Sequence, residues 1–255
     1  MCVLALLGTS GQVRAADVVV SGSTDFPESM SAGADGTLYF SSLAGGRIFR
    51  AAPGATQARE WIKPGSNGLD SALGVLADSK TNTLYVCSDD MSFAGITLPT
   101  GETPTALKTF DLKSGAAKAG YVLPESTLPD QKAFCNDIAV GGTAYVADSR
   151  SGHILRLKPG GSALEIWAHD ARWDVKGFQL DGIAMLPDGS VYANIFEGDG
   201  LASRRGEAGR QCRDDHQTED LAVIVSLRRA AGGRQQAVDG RGRNQGISGP
   251  DHRVR

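Results

Sequence analysis

The amino-acid sequence predicts an all-β fold, a β-propeller of about four blades, from three observations. One phrase recurs four times: a short strand runs into a turn, and a second strand rich in tyrosine and small residues follows. The second strands begin at spacings of 46, 60 and 47 residues, at Thr37, Thr83, Thr143 and Ser190. A period of about 45 residues built from short strands is typical of a propeller, in which each repeat forms one four-stranded blade. The 33 glycines and 10 prolines also suit a turn-rich chain.

The individual strands can be predicted blade by blade. In blade one, the Asp35-Gly36 turn between alternating residues is a strong hairpin signal, and the strands are predicted at 37–42, 47–50 and 60–62. Blade two has predicted strands at 83–88, 107–112 and 121–123, with a long insertion at 89–105. Blade three has the clearest pattern, with strands at 137–140, 143–148, 153–157 and 163–168. Blade four begins with strands at 181–186 and 190–195, but the sequence shows no third strand after them.

The C-terminal segment differs in composition from the rest of the chain. It carries 11 Arg, no Lys and 7 acidic residues and has no Phe, Tyr or Trp. Arg and Gln without Lys are typical of a GC-rich gene read out of frame, and a one-nucleotide shift in a permitted back-translation restores a Pro-Asp-Gly turn and an alternating strand. A naturally disordered tail is the alternative, since a segment this polar forms no core. We therefore predict an incomplete propeller at 16–202 and a disordered or out-of-frame tail at 203–255.

The N-terminus predicts an export signal. A short apolar run is followed by Val13-Arg14-Ala15, which fits the small-x-small rule for signal peptidase, so residues 1–15 are interpreted as a signal-peptide remnant. The run is too short to span a bilayer, and the alternative is a first strand. An exported protein would be periplasmic or secreted, and otherwise the chain would be cytoplasmic. In an oxidising compartment Cys87 and Cys135 could form a disulfide, although two buried free thiols fit the sequence as well.

Three phrases of the sequence resemble a known family. They are FPES from Phe26, CNDIAVGGTAYVADS from Cys135 and LDGIAMLPDGSVYAN from Leu180. They resemble the family of senescence marker protein (regucalcin), gluconolactonase and luciferin-regenerating enzyme over about residues 25–200. The resemblance implies a six-bladed propeller with one divalent metal ion, usually calcium, near its central axis. It also implies hydrolysis of a lactone or a related ester.

The resemblance assigns three metal ligands. The family's Glu opening the first blade, Asn opening a middle blade and Asp opening the next correspond to Glu28, Asn136 and Asp181. Asp181 would also be the catalytic proton acceptor. Each residue stands at or just before an innermost strand, where equivalent positions of different blades converge on the axis. Two carboxylates and one amide oxygen make a hard oxygen site suited to Ca²⁺ or Mg²⁺.

The chain departs from the family at the entry to blade two. Sugar-lactone members place an Arg and an Asn there, whereas this chain has the apolar stretch Ser71-Ala72-Leu73-Gly74. A more apolar lactone or ester, or simple ligand binding, fits at least as well as a sugar lactone. The insertion at 89–105, Lys132 and Phe134 are further candidates for the mouth of a pocket.

Three functions stay open at this point. The first is a metal-dependent hydrolase of a small lactone or ester, impaired because four blades of an intended six leave an open edge. The second is a non-catalytic propeller that binds a small ligand or a protein, and the third is a nonfunctional fragment. Other classes are disfavoured, since the net charge of −3 does not suit nucleic acid and no Gly-x-Ser-x-Gly or phosphate-binding glycine loop is present. No membrane span is expected, and the oligomeric state is not predicted.

Overall fold

The computed structural model describes residues 17–22, 25–101, 104–126, 128, 131–170, 173 and 177–195. It also describes the backbone of four strands at 201–205, 221–224, 237–238 and 244–245. Within these residues the chain forms strands joined by turns, with three-residue 3-10 turns at Ser66–Gly68 and Ser92–Ala94. The predicted all-β class is therefore confirmed.

Four consecutive sheets form the blades of an incomplete β-propeller. Blade one comprises β2 (Met30–Ala32), β3 (Leu38–Ser42), β4 (Arg47–Ala51) and β5 (Gln57–Ile62), with β1 (Val19–Val20) pairing in parallel with β5. Blade two comprises β6 (Ser71–Asp78), β7 (Thr83–Asp89), β8 (Ala106–Asp111) and β9 (Ala117–Val122). Blade three comprises β10 (Cys135–Val140), β11 (Ala144–Asp148), β12 (His153–Leu157) and β13 (Glu165–His169). The fourth sheet comprises β14 (Leu180–Met185), β15 (Ser190–Ile195), β16 (Leu201–Arg205) and β17 (Leu221–Ile224).

A separate apolar cluster fills the space between each pair of consecutive blades. The side chains of a strand alternate between its two faces, so one blade contributes to the clusters on both of its sides. In blade one, Tyr39 packs toward blade two while its neighbour Phe40 packs on the opposite face with Val18 and Val20. The cluster between blades three and four contains the buried Trp173, and the partly buried Trp167 packs against this cluster. The blades therefore hold one another through stacked sheet faces, which is the packing expected of a propeller.

Blade four contains two strands that the sequence did not predict. No third strand was predicted after residue 195, whereas β16 pairs antiparallel with β15 and β17 pairs with β16. A strand whose backbone partner is in place can form without a strong pattern of its own, because pairing context outweighs local propensity. A short sheet of β18 (Ala237–Val238) and β19 (Asn244–Gln245) follows. Most of 203–255 and all of 1–15 lie outside the described residues, so the assignments of tail and signal peptide stay predictions.

A disulfide joins blades two and three. Cys87 of β7 and Cys135 of β10 are bonded, and neither side chain is exposed to solvent. Of the two possibilities that the sequence left open, the structure has the disulfide rather than two free thiols. The bond lies between the blades, in the same apolar cluster as Leu73 and Phe134.

In the described part of the chain, no helix has the length and apolar character needed to cross a membrane.

Candidate functional site

The innermost strands of blades two, three and four each carry a β-bulge at the same place. The antiparallel register shifts between Ala72 and Val75, between Cys135 and Ile138, and between Leu180 and Ile183. Two residues of the inner strand therefore stand opposite one residue of its partner, as in a β-bulge, a feature that is common beside active sites. The paired bulge residues are Leu73-Gly74, Asn136-Asp137 and Asp181-Gly182. Two of the predicted site residues, Asn136 and Asp181, thus occupy equivalent bulge positions.

Asp137 is a link between blades three and four. Its Oδ2 accepts a hydrogen bond from the backbone N–H of Ile183 at 3.0 Å, and its Oδ1 accepts one from the N–H of Ile138 at 2.8 Å. In the same way, Oγ of Ser29 in blade one accepts the N–H of Val75 in blade two at 3.2 Å. The backbone N–H groups of Val75 and Ile183, which follow the bulges of blades two and four, are therefore satisfied by a side chain of the preceding blade.

Glu28 shares an electrostatic environment with residues of two other blades. It directly precedes Ser29 and β2, and its pKa is raised to about 7, chiefly by loss of hydration and then by the negative charges of Asp137 and Asp181. Glu28 nevertheless keeps an exposed surface, so water screens these charges, and the shift concerns protonation of Glu28 rather than the stability of the fold. Carboxyl groups of blades one, three and four thus act on one another across the space between the blades.

Asp181 is oriented by Asn194 of the neighbouring strand. The Nδ2 of Asn194 donates to Oδ2 of Asp181 at 3.0 Å. Gly182 leaves room for this contact, since a Cβ at that position would lie 2.9 Å from Oδ1 of Asn194. Asn194 stands opposite the bulge, where Cys87 and Ala147 stand in blades two and three. A polar residue at that place in the repeat is the sequence signal that could have identified it.

The oxygen atoms of the predicted metal ligands are of the kind that a hard cation prefers. Glu28, Asn136 and Asp181 supply oxygen atoms. Loss of hydration is the main cause of the raised pKa of Glu28, and the negative charges of Asp137 and Asp181, which raise it further, are charges that a divalent cation would offset. Among the described residues, no group of three His, Cys, Asp or Glu side chains lies close enough together to hold a metal ion. The predicted set contains only two carboxylates, so the amide of Asn136 and water would have to complete the coordination. A calcium ion here therefore stays a prediction.

Two buried carboxyl groups stand beside the beginning of β10. Oδ1 of Asp89 accepts from the N–H of Cys135 at 2.9 Å, and Oδ1 of Asp148 accepts from the N–H of Phe134 at 2.9 Å. The Oδ2 atom of each is buried without a hydrogen-bond partner. Burial raises the pKa of both carboxyl groups, and the negative charges of Asp148 and Glu28 raise that of Asp89 further. The folded protein therefore keeps Asp89 in its neutral acid form to a higher pH than the unfolded chain does.

The burial of Asp89 predicts a pH-dependent effect of the variant Asp89→Asn. Unfolded Asp89 ionises near pH 4, whereas the folded protein retains the proton to higher pH, so this group reduces stability as the pH rises above about 4. The amide cannot ionise, and the variant should therefore gain stability relative to the wild type between pH 5 and pH 8. Urea unfolding of chelator-treated protein at both pH values measures this gain.

Asp35→Asn is the matched control for this experiment. The N–H and hydroxyl of Thr37 donate to the Asp35 carboxylate and lower its pKa, so it is ionised in both folded and unfolded chains above pH 5. The difference in stability between Asp35→Asn and the wild type should stay constant from pH 5 to pH 8. A constant difference for Asp89→Asn as well would contradict the predicted protonation.

Two cavities lie away from these residues. A cavity of about 210 Å³ opens between the outer parts of blades two and three, lined in part by Tyr85, Lys118, Tyr121 and Lys158. A second lies on the outer strands of blade one beside Trp61. Neither includes Glu28, Asn136 or Asp181. Neither cavity is lined by more than one acidic residue, whereas the charges of Asp137 and Asp181, beside the bulges, act on Glu28.

Comparison with known proteins yields matches among solved structures. No protein-family model matches the chain, and no curated protein matches it. A streptogramin B lyase is 14% identical with a TM-score of 0.50 and covers 71% of this chain and 51% of its own. A catalytically inactive virginiamycin B lyase from Staphylococcus aureus, solved with quinupristin, is 14% identical with a TM-score of 0.51 and covers 71% and 53%.

The likeness is one of fold. At 14% identity these structures support the propeller architecture and leave the narrower family assignment as a proposal. The chain spans about half the length of each of them.

Proposed function

We propose that this propeller belongs to the regucalcin and gluconolactonase type and hydrolyses a lactone or related ester with the help of a divalent cation, with calcium as the first candidate. The observation that carries the proposal is the equivalent bulge position of Asn136 and Asp181 in neighbouring blades. Glu28 of blade one adds to it, because the charges of Asp137 and Asp181 contribute to its raised pKa. The lyases of similar fold support it in a general way, because one of them was solved with a small molecule, quinupristin. The resemblance of the three sequence phrases adds Asn136 to the set.

Each residue has a definite part in this proposal. Glu28, Asn136 and Asp181 would hold the cation, and Asp137 fixes the bulge by bonding the backbone of the next blade. The cation, when bound, would supply polarisation of the substrate carbonyl. Asp181 takes the proton of the attacking water, and Asn194 holds the Asp181 carboxylate in place through its amide. The water oxygen forms the new C–O bond at the carbonyl carbon, the ester C–O bond breaks, and the departing alcohol oxygen receives the proton that Asp181 took from the water.

The variant Asp181→Asn tests the proposal. The amide keeps the size of the side chain but loses the charge and the ability to accept a proton, so kcat/KM for a lactone or aryl ester should fall about 10²–10⁴-fold. Binding of Ca²⁺, followed by titration calorimetry, should weaken in the same variant. Glu60→Gln is the matched control, because it removes an acid that pairs with Arg47 on the outer strand of blade one.

The same measurements separate the alternatives. Binding of Ca²⁺ that depends on Asp181 without turnover of any lactone or ester would favour the non-catalytic propeller. Turnover and binding unchanged in Asp181→Asn would contradict the proposed site. A 255-residue chain that shows no cooperative melting transition and binds no Ca²⁺ would favour the nonfunctional fragment.

A further inference from the structure

Arg150 lies at the end of the blades where β10 and β14 begin, and hydrogen bonds fix its backbone there. It follows β11, whose last residue, Asp148, accepts the N–H of Arg150 on Oδ1 at 3.2 Å. The amide of Gln131, oriented to satisfy its hydrogen bonds, donates to the carbonyl oxygens of Arg150 and Gly177 at 3.2 Å each. The backbone at Arg150 is thus tied to its own strand and to the segment that leads into β14.

The guanidinium of Arg150 contacts aromatic rings from both neighbouring blades. Its Cζ lies 5.7 Å from the ring centroid of Phe93, in the insertion between β7 and β8 of blade two, and 5.8 Å from that of Phe178, just before blade four. Both distances are within the range of cation–π attraction. The Arg150 side chain reaches loops of the blades on both sides. It therefore lies across the end of the blades and does not point away from the propeller.

Among the described residues, no carboxylate forms an ion pair with Arg150, and the ion pairs involve Arg47, Arg156 and Lys158 instead. Its Nε is buried and has no hydrogen-bond partner. A buried donor without a partner is costly, and a planar guanidinium is suited to a carboxylate, which it can bind through two parallel hydrogen bonds.

Of the two rings beside Arg150, that of Phe178 is packed and that of Phe93 lies on an anchored loop. Phe178 packs edge-on against the buried ring of Phe134 at 5.0 Å. Phe93 lies on the turn Ser92–Ala94 and is 59% exposed. The insertion that contains this turn is anchored further along, because the N–H and the hydroxyl of Thr100 both donate hydrogen bonds to the buried carboxylate of Asp70. An exposed aromatic ring on an anchored loop beside the Arg150 guanidinium presents a surface for an apolar group with a negative charge.

We propose that Arg150, Phe93 and Phe178 form a binding site for small aromatic carboxylates, with the carboxylate on the guanidinium and the apolar ring against Phe93. In the proposed hydrolase, Arg150 would hold the carboxylate of a substrate at the end of the blades where β10 and β14 begin, which is also the end that carries Asn136 and Asp181. The site then selects lactones or esters that carry an aromatic ring and a carboxylate. That substrate class rests on the proposed hydrolase function, whereas binding of the carboxylate does not.

Binding of phenylacetate tests the proposal without any measurement of turnover. In protein freed of divalent ions, ligand-observed NMR titration should show phenylacetate bound at least tenfold more tightly than 2-phenylethanol, its neutral analogue. Arg150→Met should weaken phenylacetate at least tenfold and leave 2-phenylethanol unchanged, whereas Phe93→Ala should weaken both. Lys118→Met is the control, because it removes a cation from the cavity between the outer parts of blades two and three.

The outcomes are distinct from those of the hydrolase test. Loss of phenylacetate binding in Arg150→Met, with the melting temperature and the binding of 2-phenylethanol retained, would support the site. Arg150→Lys covers the case in which the methionine variant does not fold, since it keeps the charge and should retain part of the binding. Equal affinity for the two probes, no binding of phenylacetate by the wild type, or an equal loss in Lys118→Met would overturn the proposal whether or not the chain hydrolyses an ester.

Discussion

Replacement of both Cys87 and Cys135 by alanine is expected to lower the free energy of unfolding by about 4 kcal/mol, which is the chain-entropy value for a loop of this length. The two cysteines are 48 residues apart in sequence, and their bond closes a loop that contains most of blade two. Without the bond, the unfolded chain gains the freedom that the crosslink removes, so unfolding becomes more favourable. Urea denaturation followed by circular dichroism measures the change.

Reduction of the wild type is the control for this pair. Dithiothreitol should lower the midpoint of the wild type toward that of the double alanine variant and leave the variant itself unchanged. If the two proteins unfold at the same urea concentration without reductant, the disulfide does not stabilise the fold. Asn136 follows Cys135 directly, so the double variant should also bind Ca²⁺ more weakly if the proposed site is correct.

The disulfide bears on the predicted compartment. Such bonds persist in oxidising environments, which agrees with the expectation of a periplasmic or secreted protein. Residues 1–15 lie outside the described residues, and export therefore stays a proposal. Expression with and without these residues, followed by fractionation and thiol labelling, tests it.

Gly74→Ala is expected to be the most damaging single substitution near the site. A Cβ at Gly74 would lie 2.4 Å from the carbonyl oxygen of Asn136 and 2.8 Å from Cα of Asp137. Both are backbone atoms, so the two blades would have to separate, at a cost of about 3 kcal/mol. The same movement would displace Asn136 and should reduce the affinity for Ca²⁺, which unfolding and binding measurements on one preparation would show.

Gly120→Ala is the matched control for Gly74→Ala. Gly120 also lies in a strand of blade two, but a Cβ there would meet only the flexible end of Lys108, at 3.2–3.3 Å. The lysine can move, so stability should change by less than about 0.5 kcal/mol. Equal effects of the two substitutions would mean that blades two and three do not approach as closely as the structure indicates.

Gly74 also has a part in the packing of blade two on blade three. The stretch Ser71-Ala72-Leu73-Gly74 lacks the polar residues that sugar-lactone members of the resembled family place there. From the sequence alone, this difference bears only on substrate preference. In the structure, Gly74 forms part of the bulge and contacts the backbone of Asn136 and Asp137 directly. A small residue here therefore also serves the packing of blade two on blade three.

The sequence alone determined the all-β class, the four repeats and most strand positions. Turn residues and the alternation of apolar side chains act locally, so strands such as His153–Leu157 and Ser190–Ile195 could be predicted at both ends. The repeat also predicted that Asn136 and Asp181 occupy equivalent places, and their bulges confirm that equivalence. The repeat could not show which of the two bulge residues accepts a hydrogen bond from the backbone of the next blade, as Asp137 does.

Only the tertiary structure decided the features that depend on contacts between blades. The Cys87–Cys135 bond, the contact of Gly74 with Asn136 and the placement of Arg150 beside Phe93 join residues 48, 62 and 57 positions apart. Such pairs are set by the way in which sheet faces stack, and no local pattern encodes them. The strand Leu201–Arg205 was missed for a related reason, because its partner strand rather than its own composition places it in the sheet.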